Sequence, residues 1–283
     1  MNFSETFIDL IKAIEGYNME SQPRGMKVKE SLMTSFDISP IEPIANFKDR
    51  EFNFKYFAGE LAWYLHRDRD VKYISHFSKF WQSLTNPNTN EINSNYGSLV
   101  INDEQLGWVV DSLIKDKNSR QAIMFFNRPE FQFEDNKDFV CTLYSNFFIR
   151  DNKLFMKVQM RSNDIFFGLT FDAPFFAFLH QSVYLILKEH YPDLELGMYF
   201  HHVDNIHFYE RHFDLADKIK QNGAGENYKM VLKRPMISYK NGSTYLTDSG
   251  KEYTNRIDSA IKREQSTGTQ ENYKSILQDY FEF

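Results

Sequence analysis

The sequence predicts an α+β fold, in which a mixed sheet packs with helices. Amphipathic helix patterns dominate the first 116 residues, strand patterns begin at Ser119, and both kinds then alternate to about residue 235. No internal repeat and no Pro- or Ser-rich linker divides the chain of 283 residues. We therefore predict one domain over residues 1–235 and a partly helical, charged extension over residues 236–283.

Helical spacing marks the first part of the chain. Residues 4–16 place apolar side chains at i, i+3, i+4 and i+7, which predicts an amphipathic helix with Ser4 as a candidate N-cap. An irregular basic stretch follows at residues 22–27. Further helices are predicted at residues 51–66, 71–84 and 104–116, with a polar loop at residues 86–95.

Strand patterns mark the second part. Strands are predicted at residues 122–126, 139–149, 153–161, 196–203 and 228–234, and Arg150 to Lys153 form a hairpin turn. Cys141 is therefore expected on a strand. Residues 173–190 are the most apolar helix and fit a buried central position, whereas residues 205–221 and 251–283 predict helices with polar faces.

Composition and charge exclude several classes of protein. The net charge is −6, which argues against duplex nucleic acid as a partner, because such binding needs many Lys or Arg on one face. No segment approaches the roughly 20 apolar residues of a membrane span, and the N-terminus lacks a signal-peptide pattern. The single cysteine, Cys141, excludes an intrachain disulfide and suits a reducing compartment, so we expect a cytoplasmic protein.

The many aromatic residues and the few glycines indicate which kinds of ligand site the protein can have. The chain has 28 Phe and 16 Tyr, so the core or the ligand site should be built largely from rings. Only 12 Gly are present, which disfavours a Gly-rich phosphate loop. No cysteine pair and no His-Glu-x-x-His motif supports a metal centre, and we predict none.

Two features near the predicted hairpin could carry chemistry. Cys141 is a candidate nucleophile, although a lone cysteine on a strand is often only a small buried hydrophobe. Arg161-Ser162-Asn163-Asp164 closes the next strand, and its guanidinium and hydroxyl donors suit a phosphate. A solvated turn has the same composition, so both interpretations stay open at this point.

Two later features have equally ordinary alternatives. Asp172 precedes the apolar helix with Pro174 two residues on, a pattern typical of a helix N-cap. The segment from His201 to His212 holds four of the eight histidines. His207 and Tyr209 could donate to a ligand. Successive residues of a strand point to opposite faces, which makes a His201–His202 metal pair difficult.

Taken in order, these features resemble the thymidylate synthase superfamily from about Arg24 to Pro235. The resemblance rests on the following residues: Glu60-Leu61-Ala62-Trp63-Tyr64-Leu65, Trp81, Asn95-Tyr96-Gly97, Asn118-Ser119-Arg120, Cys141, Arg161-Ser162-Asn163-Asp164, Gly168 and His207-Phe208-Tyr209. Three details are similar to the branch of bacteriophage deoxycytidylate hydroxymethylases. They are Glu91 to Gly97, Thr142 after the cysteine and Asp172 where the synthases have Asn.

The resemblance implies catalytic roles that agree with the chemistry of each side chain. Cys141 would add as thiolate to C6 of a pyrimidine ring, and C5 would then attack the one-carbon unit of 5,10-methylenetetrahydrofolate. Arg161 would also lower the pKa of that thiol. Glu60 would organise water and proton transfers, and Tyr96 would lie near C5.

The resemblance also implies binding roles and a homodimer with sheets back to back. The expected substrate-binding residues are Arg24, Arg161, Ser162, Asn163, Asp172, His207 and Tyr209, together with Arg120 reaching the phosphate of the neighbouring subunit. The expected folate-binding residues are Trp81, Asp164 and Gly168. Asp172 would select the base, because a carboxyl group can share a proton with N3 and accept from N4 of cytosine.

Some residues depart from the family pattern. Gln121 stands where a second arginine is common, Arg24 is matched only by its basic loop, and the apolar closing C-terminus of the synthases is absent from residues 278–283. The expected reaction converts dCMP, or CMP, to its 5-hydroxymethyl derivative with release of tetrahydrofolate. Methyl transfer with hydride from the folate is the first alternative, and a non-catalytic nucleotide- or RNA-binding relative is the second.

Overall fold

A seven-stranded mixed sheet lies at the centre of the computed structural model, which describes residues 2–86, 89–101 and 104–283. Its strands are β1 (Met19–Ser21), β2 (Val28–Ile38), β3 (Ile123–Phe125), β4 (Thr142–Arg150), β5 (Lys153–Met160), β6 (Asn163–Asp164) and β7 (Glu195–Tyr209). They lie in the order β1–β2–β7–β5–β4–β3, and β6 pairs with β7 beyond the end of β5. The pairs β5–β7 and β6–β7 are parallel and the others are antiparallel.

Helices pack against the sheet and confirm the predicted α+β class. They are α1 (Phe3–Tyr17), α2 (Phe54–His66), α3 (Val71–Ser75), α4 (Tyr96–Val100), α5 (Gln105–Lys115), α6 (Thr170–His190), α7 (Phe213–Asn222), α8 (Asp248–Thr267) and α9 (Tyr273–Gln278). α6 is the buried central helix that its sequence predicted. Rings fill much of the core, including fully buried Trp63, Tyr199 and Phe176, as the composition indicated. None of the described helices is both long and apolar enough to cross a membrane.

The hairpin between β4 and β5 is confirmed at its predicted turn. Asp151 and Asn152 have φ of 47° and 59°, the left-handed pair that a two-residue turn requires. Cys141, however, lies in a bend just before β4 and not on the strand as predicted. The turn and the bend together hold Cys141 and the end of β5 side by side.

Several predicted elements are corrected by the structure. β2 was not predicted, because Met33, at φ 54°, interrupts the register with β7 and breaks the alternation of buried and exposed residues. Residues 205–209 continue β7 and are not helical, and α7 begins only at Phe213. The predicted helix at 71–84 ends at Ser75 and is followed by a 3₁₀ helix, Lys79–Leu84. The predicted strand at 228–234 shortens to β8 (Val231–Leu232).

The N-cap of α1 also differs from the prediction. Asn2, not Ser4, caps this helix: its side chain accepts from the amide of Glu5, and the Glu5 carboxylate accepts from the amide of Asn2. Ser4 instead accepts a hydrogen bond of 2.9 Å from the amide of Asn46. The predicted loop at 86–95 is found at Asn86 and from residue 89 on, and its positions 87 and 88 lie outside the described residues.

The C-terminal segment packs onto α2. It contains the hairpin of β9 (Ile237–Lys240) and β10 (Ser243–Leu246), then α8 and α9, and ends in β11 (Phe281–Glu282), which pairs with β8. Buried Tyr253 donates to the carbonyl of Ala58 at 2.8 Å, and Glu264 contacts Lys55 at 2.7 Å. The segment thus supports the helix that carries Glu60, while the domain boundary at residue 235 remains a prediction.

Candidate active site

Cys141 and Arg161 lie next to each other where β4 begins and β5 ends. The amide of Arg161 donates to the carbonyl of Cys141 at 2.9 Å, so the two backbones are joined directly. The guanidinium Nη2 lies 3.5 Å from Sγ, and Nε donates to the carbonyl of Val140 at 3.1 Å. These contacts fix the only arginine–thiol hydrogen bond among the described residues.

Burial outweighs that arginine in setting the thiol acidity. Burial raises the pKa of Cys141 to about 11, Arg161 and Arg24 act in the opposite direction, and Asp172 and Asp138 raise it further. The predicted direction of the Arg161 effect therefore holds, but the thiol is protonated at neutral pH in the described state. The influence of Arg24, whose side chain is exposed, places its charge within reach of this site.

Glu60 faces the same site from α2. Tyr56 donates to Oε1 of Glu60 at 2.8 Å, and Trp81 Nε1 donates to the Tyr56 hydroxyl at 2.9 Å. Burial and the nearby Asp172 carboxyl raise the pKa of Glu60 to about 8. Tyr56 was not among the predicted residues, although its position one helical turn before Glu60 is the spacing at which helical side chains meet.

Asp172 is not a helix cap. It lies in the first turn of α6, where Leu169 holds the N-cap position without a side-chain bond. Asp172 Oδ2 accepts a hydrogen bond of 2.8 Å from Asn163 Nδ2, and burial raises the pKa of Asp172 to about 6. The pair joins the start of β6 to the first turn of α6.

Tyr96 closes the site from α4. Thr142 donates to its hydroxyl at 2.8 Å, and its ring stacks on Tyr64 with centroids 5.3 Å apart. The pKa of Tyr96 is raised mainly by burial, then by the charges of Asp172 and Cys141. Tyr96 is therefore a neutral hydroxyl beside the thiol and both carboxyl groups.

The predicted sugar-binding residues lie near the predicted phosphate-binding arginine, because the charge of Arg161 acts on His207. His207 and Tyr209 end β7 with ring centroids 5.4 Å apart, and His207 Nδ1 lies 3.0 Å from Asn205 Oδ1. Burial lowers the pKa of His207. Ser162 is partly exposed directly after Arg161.

Asp164 and Gly168 flank the Asn163–Asp172 pair. Asp164 Oδ1 accepts from the amides of Phe166 and Phe167, which caps the π-helix Ile165–Leu169, whereas Oδ2 is buried and has no partner among the described residues. A Cβ at Gly168 would lie 2.6 Å from Asn163 Nδ2 and 3.1 Å from Asp172 Oδ2. Glycine at this position thus leaves room for the pair.

Arg120 stands apart from these residues within the chain. Its side chain is exposed and lines a cavity of about 480 Å³. The other residues around that cavity are Gln105, Trp108, Gln121, Ile123 and Phe125, and none belongs to the groups described above.

The family model for thymidylate synthase matches residues 5–249. The chain belongs to the thymidylate synthase family. This confirms the resemblance found in the sequence. The family consists of transferases whose cosubstrate is methylenetetrahydrofolate, and the match includes every predicted site residue.

Three curated relatives that the chain resembles come from phages. Deoxycytidylate 5-hydroxymethyltransferase of Enterobacteria phage T6 is 32% identical over 209 residues, covering 68% of this chain and 85% of the phage protein. The enzyme of the same name from Enterobacteria phage T4 gives the same identity and coverage. Deoxyuridylate hydroxymethyltransferase of Bacillus phage SP01 is 26% identical over 223 residues, covering 73% of this chain and 57% of that protein.

Proposed function

We propose that this chain is a deoxycytidylate 5-hydroxymethyltransferase. It converts dCMP, 5,10-methylenetetrahydrofolate and water to 5-hydroxymethyl-dCMP and tetrahydrofolate. The observation that carries the proposal is the Asp172 carboxyl, which Asn163 holds close enough to Cys141 and Glu60 for its charge to raise the pKa of both. The names of the T6 and T4 relatives support the same substrate.

The reaction balances with the groups of this site. The Cys141 thiolate forms a bond to C6, and C5 then bonds the methylene carbon of the folate. C5 loses its proton as tetrahydrofolate leaves, water adds to the exocyclic methylene carbon, and the S–C6 bond breaks to release the thiolate. Because the pKa of Cys141 is about 11 in the described state, the thiol must lose its proton when the nucleotide binds.

The two carboxyl groups divide the proton chemistry. With a pKa of about 8, Glu60 is mostly protonated at pH 7, whereas Asp172, with a pKa of about 6, is mostly ionised. Glu60 can therefore donate a proton or hold the attacking water. Asp172 can accept from the N4 amine of cytosine, while uracil would present another acceptor, O4, in the same place.

The remaining predicted residues complete the binding site. Arg161, Ser162 and Arg24 bind the 5′-phosphate, and His207 and Tyr209 bind the sugar 3′-hydroxyl. Trp81, Asp164 and Gly168 line the folate cleft, where the unpartnered Asp164 Oδ2 fits an N–H donor of the pterin ring.

A homodimer with sheets packed back to back is part of the proposal. The uncovered sheet face carries large apolar side chains, including Phe200 and its stacking partner Phe155 at 6.1 Å. Such a face is typical of an interface. In this assembly Arg120 reaches the phosphate of the neighbouring site, with Gln121 beside it where a second arginine is common.

Product analysis on three nucleotides tests the function. The enzyme is incubated with methylenetetrahydrofolate and dCMP, CMP or dUMP, and the nucleotide mass and the dihydrofolate absorbance are measured. We expect a hydroxymethyl increment on dCMP without dihydrofolate, and no product with Cys141→Ala. A methyl increment with matching dihydrofolate would establish the methyl-transfer alternative, and preference for dUMP would match the SP01 relative instead.

The base assignment has its own variant. Asp172→Asn should move preference from dCMP toward dUMP by about ten- to a hundredfold, because an unpaired buried polar group costs roughly 1–3 kcal/mol. An unchanged preference would show that Asp172 does not read the base.

A further inference from the structure

A chain of buried polar groups leads from the sheet to Asp172. The Tyr199 hydroxyl is hydrogen-bonded to His201 Nδ1, His201 Nε2 lies 3.0 Å from Asn163 Oδ1, and Asn163 Nδ2 lies 2.8 Å from Asp172 Oδ2. Tyr199 and His201 are fully buried and Asn163 is 3% exposed. Parallel pairing of β6 with β7 brings Asn163 beside the strand that carries the other two residues.

The chemistry of the four side chains gives their hydrogen bonds one direction, in which each group donates toward Asp172. An amide donates only through nitrogen and accepts only through oxygen, so Asn163 donates to Asp172 and accepts from His201. His201 Nε2 therefore carries a hydrogen. Because burial lowers the pKa of His201 to about 3, the ring is neutral, and its Nδ1 accepts from the Tyr199 hydroxyl.

We infer that Tyr199 and His201 are positioning residues for base recognition: they lock the Asn163 amide so that Asp172 Oδ2 always serves as an acceptor. The inference rests on the proposed function, in which Asp172 reads cytosine. A carboxyl oxygen kept as an acceptor matches the N4 amine of cytosine and is repelled by O4 of uracil. Without His201 the amide could turn over and present its own oxygen to Asp172.

The opposite direction of the chain is the competing arrangement. A protonated Asp172 would donate to Asn163 Oδ1, Asn163 would donate to His201 Nε2, and His201 would donate from Nδ1 to Tyr199. The two arrangements use the same four positions but opposite tautomers of His201. The tautomer is therefore a direct readout of the direction.

Variants at His201 test the effect on specificity. His201→Leu should lower the ratio of kcat/KM for dCMP over dUMP by about tenfold, the change that corresponds to losing one buried hydrogen bond. His201→Gln can still donate an amide N–H to Asn163 and should keep the ratio within about threefold of the wild type. An equal loss in both variants, or no change in His201→Leu, would overturn the inference.

His180→Leu is the matched control. His180 is another fully buried histidine, but it bonds the carbonyl of Leu154 at 2.9 Å and not the Asn163–Asp172 pair. Its loss should lower stability and leave the base preference unchanged. A comparable change in preference would mean that any buried histidine in the core has this effect, which also contradicts the proposed role.

Nitrogen-15 NMR of the wild-type enzyme decides the direction without any turnover. We expect His201 with Nε2 protonated and Nδ1 unprotonated in the nucleotide-free enzyme. The reverse tautomer would refute the proposed direction of the hydrogen bonds from Tyr199 to Asp172. Absence of dCMP turnover in the wild type would contradict the proposed function, and the tautomer would still decide how Asn163 is oriented.

Discussion

Tyr56 donates a 2.8 Å hydrogen bond to Glu60 from one helical turn earlier in α2, and its own oxygen accepts from Trp81 at 2.9 Å. The hydroxyl thus links Trp81, a predicted residue of the folate cleft, to Glu60, the carboxyl group that we propose for proton transfer. The ring of Phe171 lies 4.5 Å from that of Tyr56 and keeps the tyrosine in place. Glu60 is held through Oε1, and its position is fixed by residues of its own helix and of the following 3₁₀ segment.

Tyr56→Phe should weaken catalysis and move its pH dependence. Tyr56 stabilises the ionised form of Glu60, so its removal should raise the pKa of Glu60 further and shift the corresponding limb of the kcat/KM–pH profile to higher pH. We expect a loss of up to about tenfold at pH 7, the size of one hydrogen bond between neutral groups. Tyr73→Phe, which removes a bond to Asp258 near the same helix, should leave the profile in place. A loss without any pH shift would mean that Tyr56 only supports packing.

Glu60→Gln should change the pH dependence of stability. Because the pKa of Glu60 is raised from 4.5 to about 8 on folding, its contribution is favourable at low pH and is lost as pH rises through about 8. Relative to the wild type, the variant should gain about 2–5 kcal/mol between pH 5 and pH 9, measured as the difference in unfolding free energy.

Glu264→Gln provides the control with the opposite sign. Although burial raises its pKa, hydrogen bonds from Lys55 and from the amide of Glu271 outweigh that effect and lower it to about 2. The stability that Glu264 contributes is present above its unfolded pKa and is lost as pH falls through about 2. A parallel response of the two variants would contradict both assignments.

The sequence predicted which side chains lie close together better than it predicted the elements that carry them. Cys141, Arg161 and Glu60 were singled out because their motifs are local and tied to a family pattern, whereas β2 was missed because the left-handed Met33 disrupts its alternation. His201 could not be assigned, since its partner Asn163 lies 38 residues away and meets it only through strand pairing. Spacing rules apply within one helix or strand, so they cannot predict a contact between residues of two strands.

The Asp172 cap prediction was wrong for an identifiable reason. The rule that favours Asp before an apolar run is sound, but the π-helix Ile165–Leu169 runs directly into α6. The helical run therefore begins earlier, and Asp164 fills the capping role that was assigned to Asp172. Asp172 is not used as a cap, and its carboxyl accepts from Asn163 instead, as the proposed contact with the base requires.

Gly168→Ala should damage the Asn163–Asp172 pair. The added carbon would lie 2.6 Å from Asn163 Nδ2, closer than real Cβ contacts, so the amide or the carboxyl must move. We expect a fall in kcat/KM for dCMP of about tenfold or more, as found when catalytic groups are displaced. Gly16→Ala, at a helical position with nothing within 4 Å, should keep full activity and gain roughly 0.5–1 kcal/mol. Full activity of Gly168→Ala would show that the pair tolerates displacement.

Complementation between inactive chains tests whether Arg120 acts across a dimer. Arg120 is exposed and lines a cavity that contains none of the other site residues, so a role in phosphate binding requires a second chain. Arg120→Ala and Cys141→Ala should each have little activity alone. When they are mixed and allowed to exchange, half of the dimers are mixed and each has one intact site, so about a quarter of wild-type activity should return.

Cys141→Ala mixed with Arg161→Ala is the control, because Arg161 contacts the thiol within one chain. One site of that mixed dimer lacks Cys141 and the other lacks Arg161, so no activity should return. Recovery in the control, or its absence with Arg120→Ala in a confirmed dimer, would place Arg120 outside the neighbouring site.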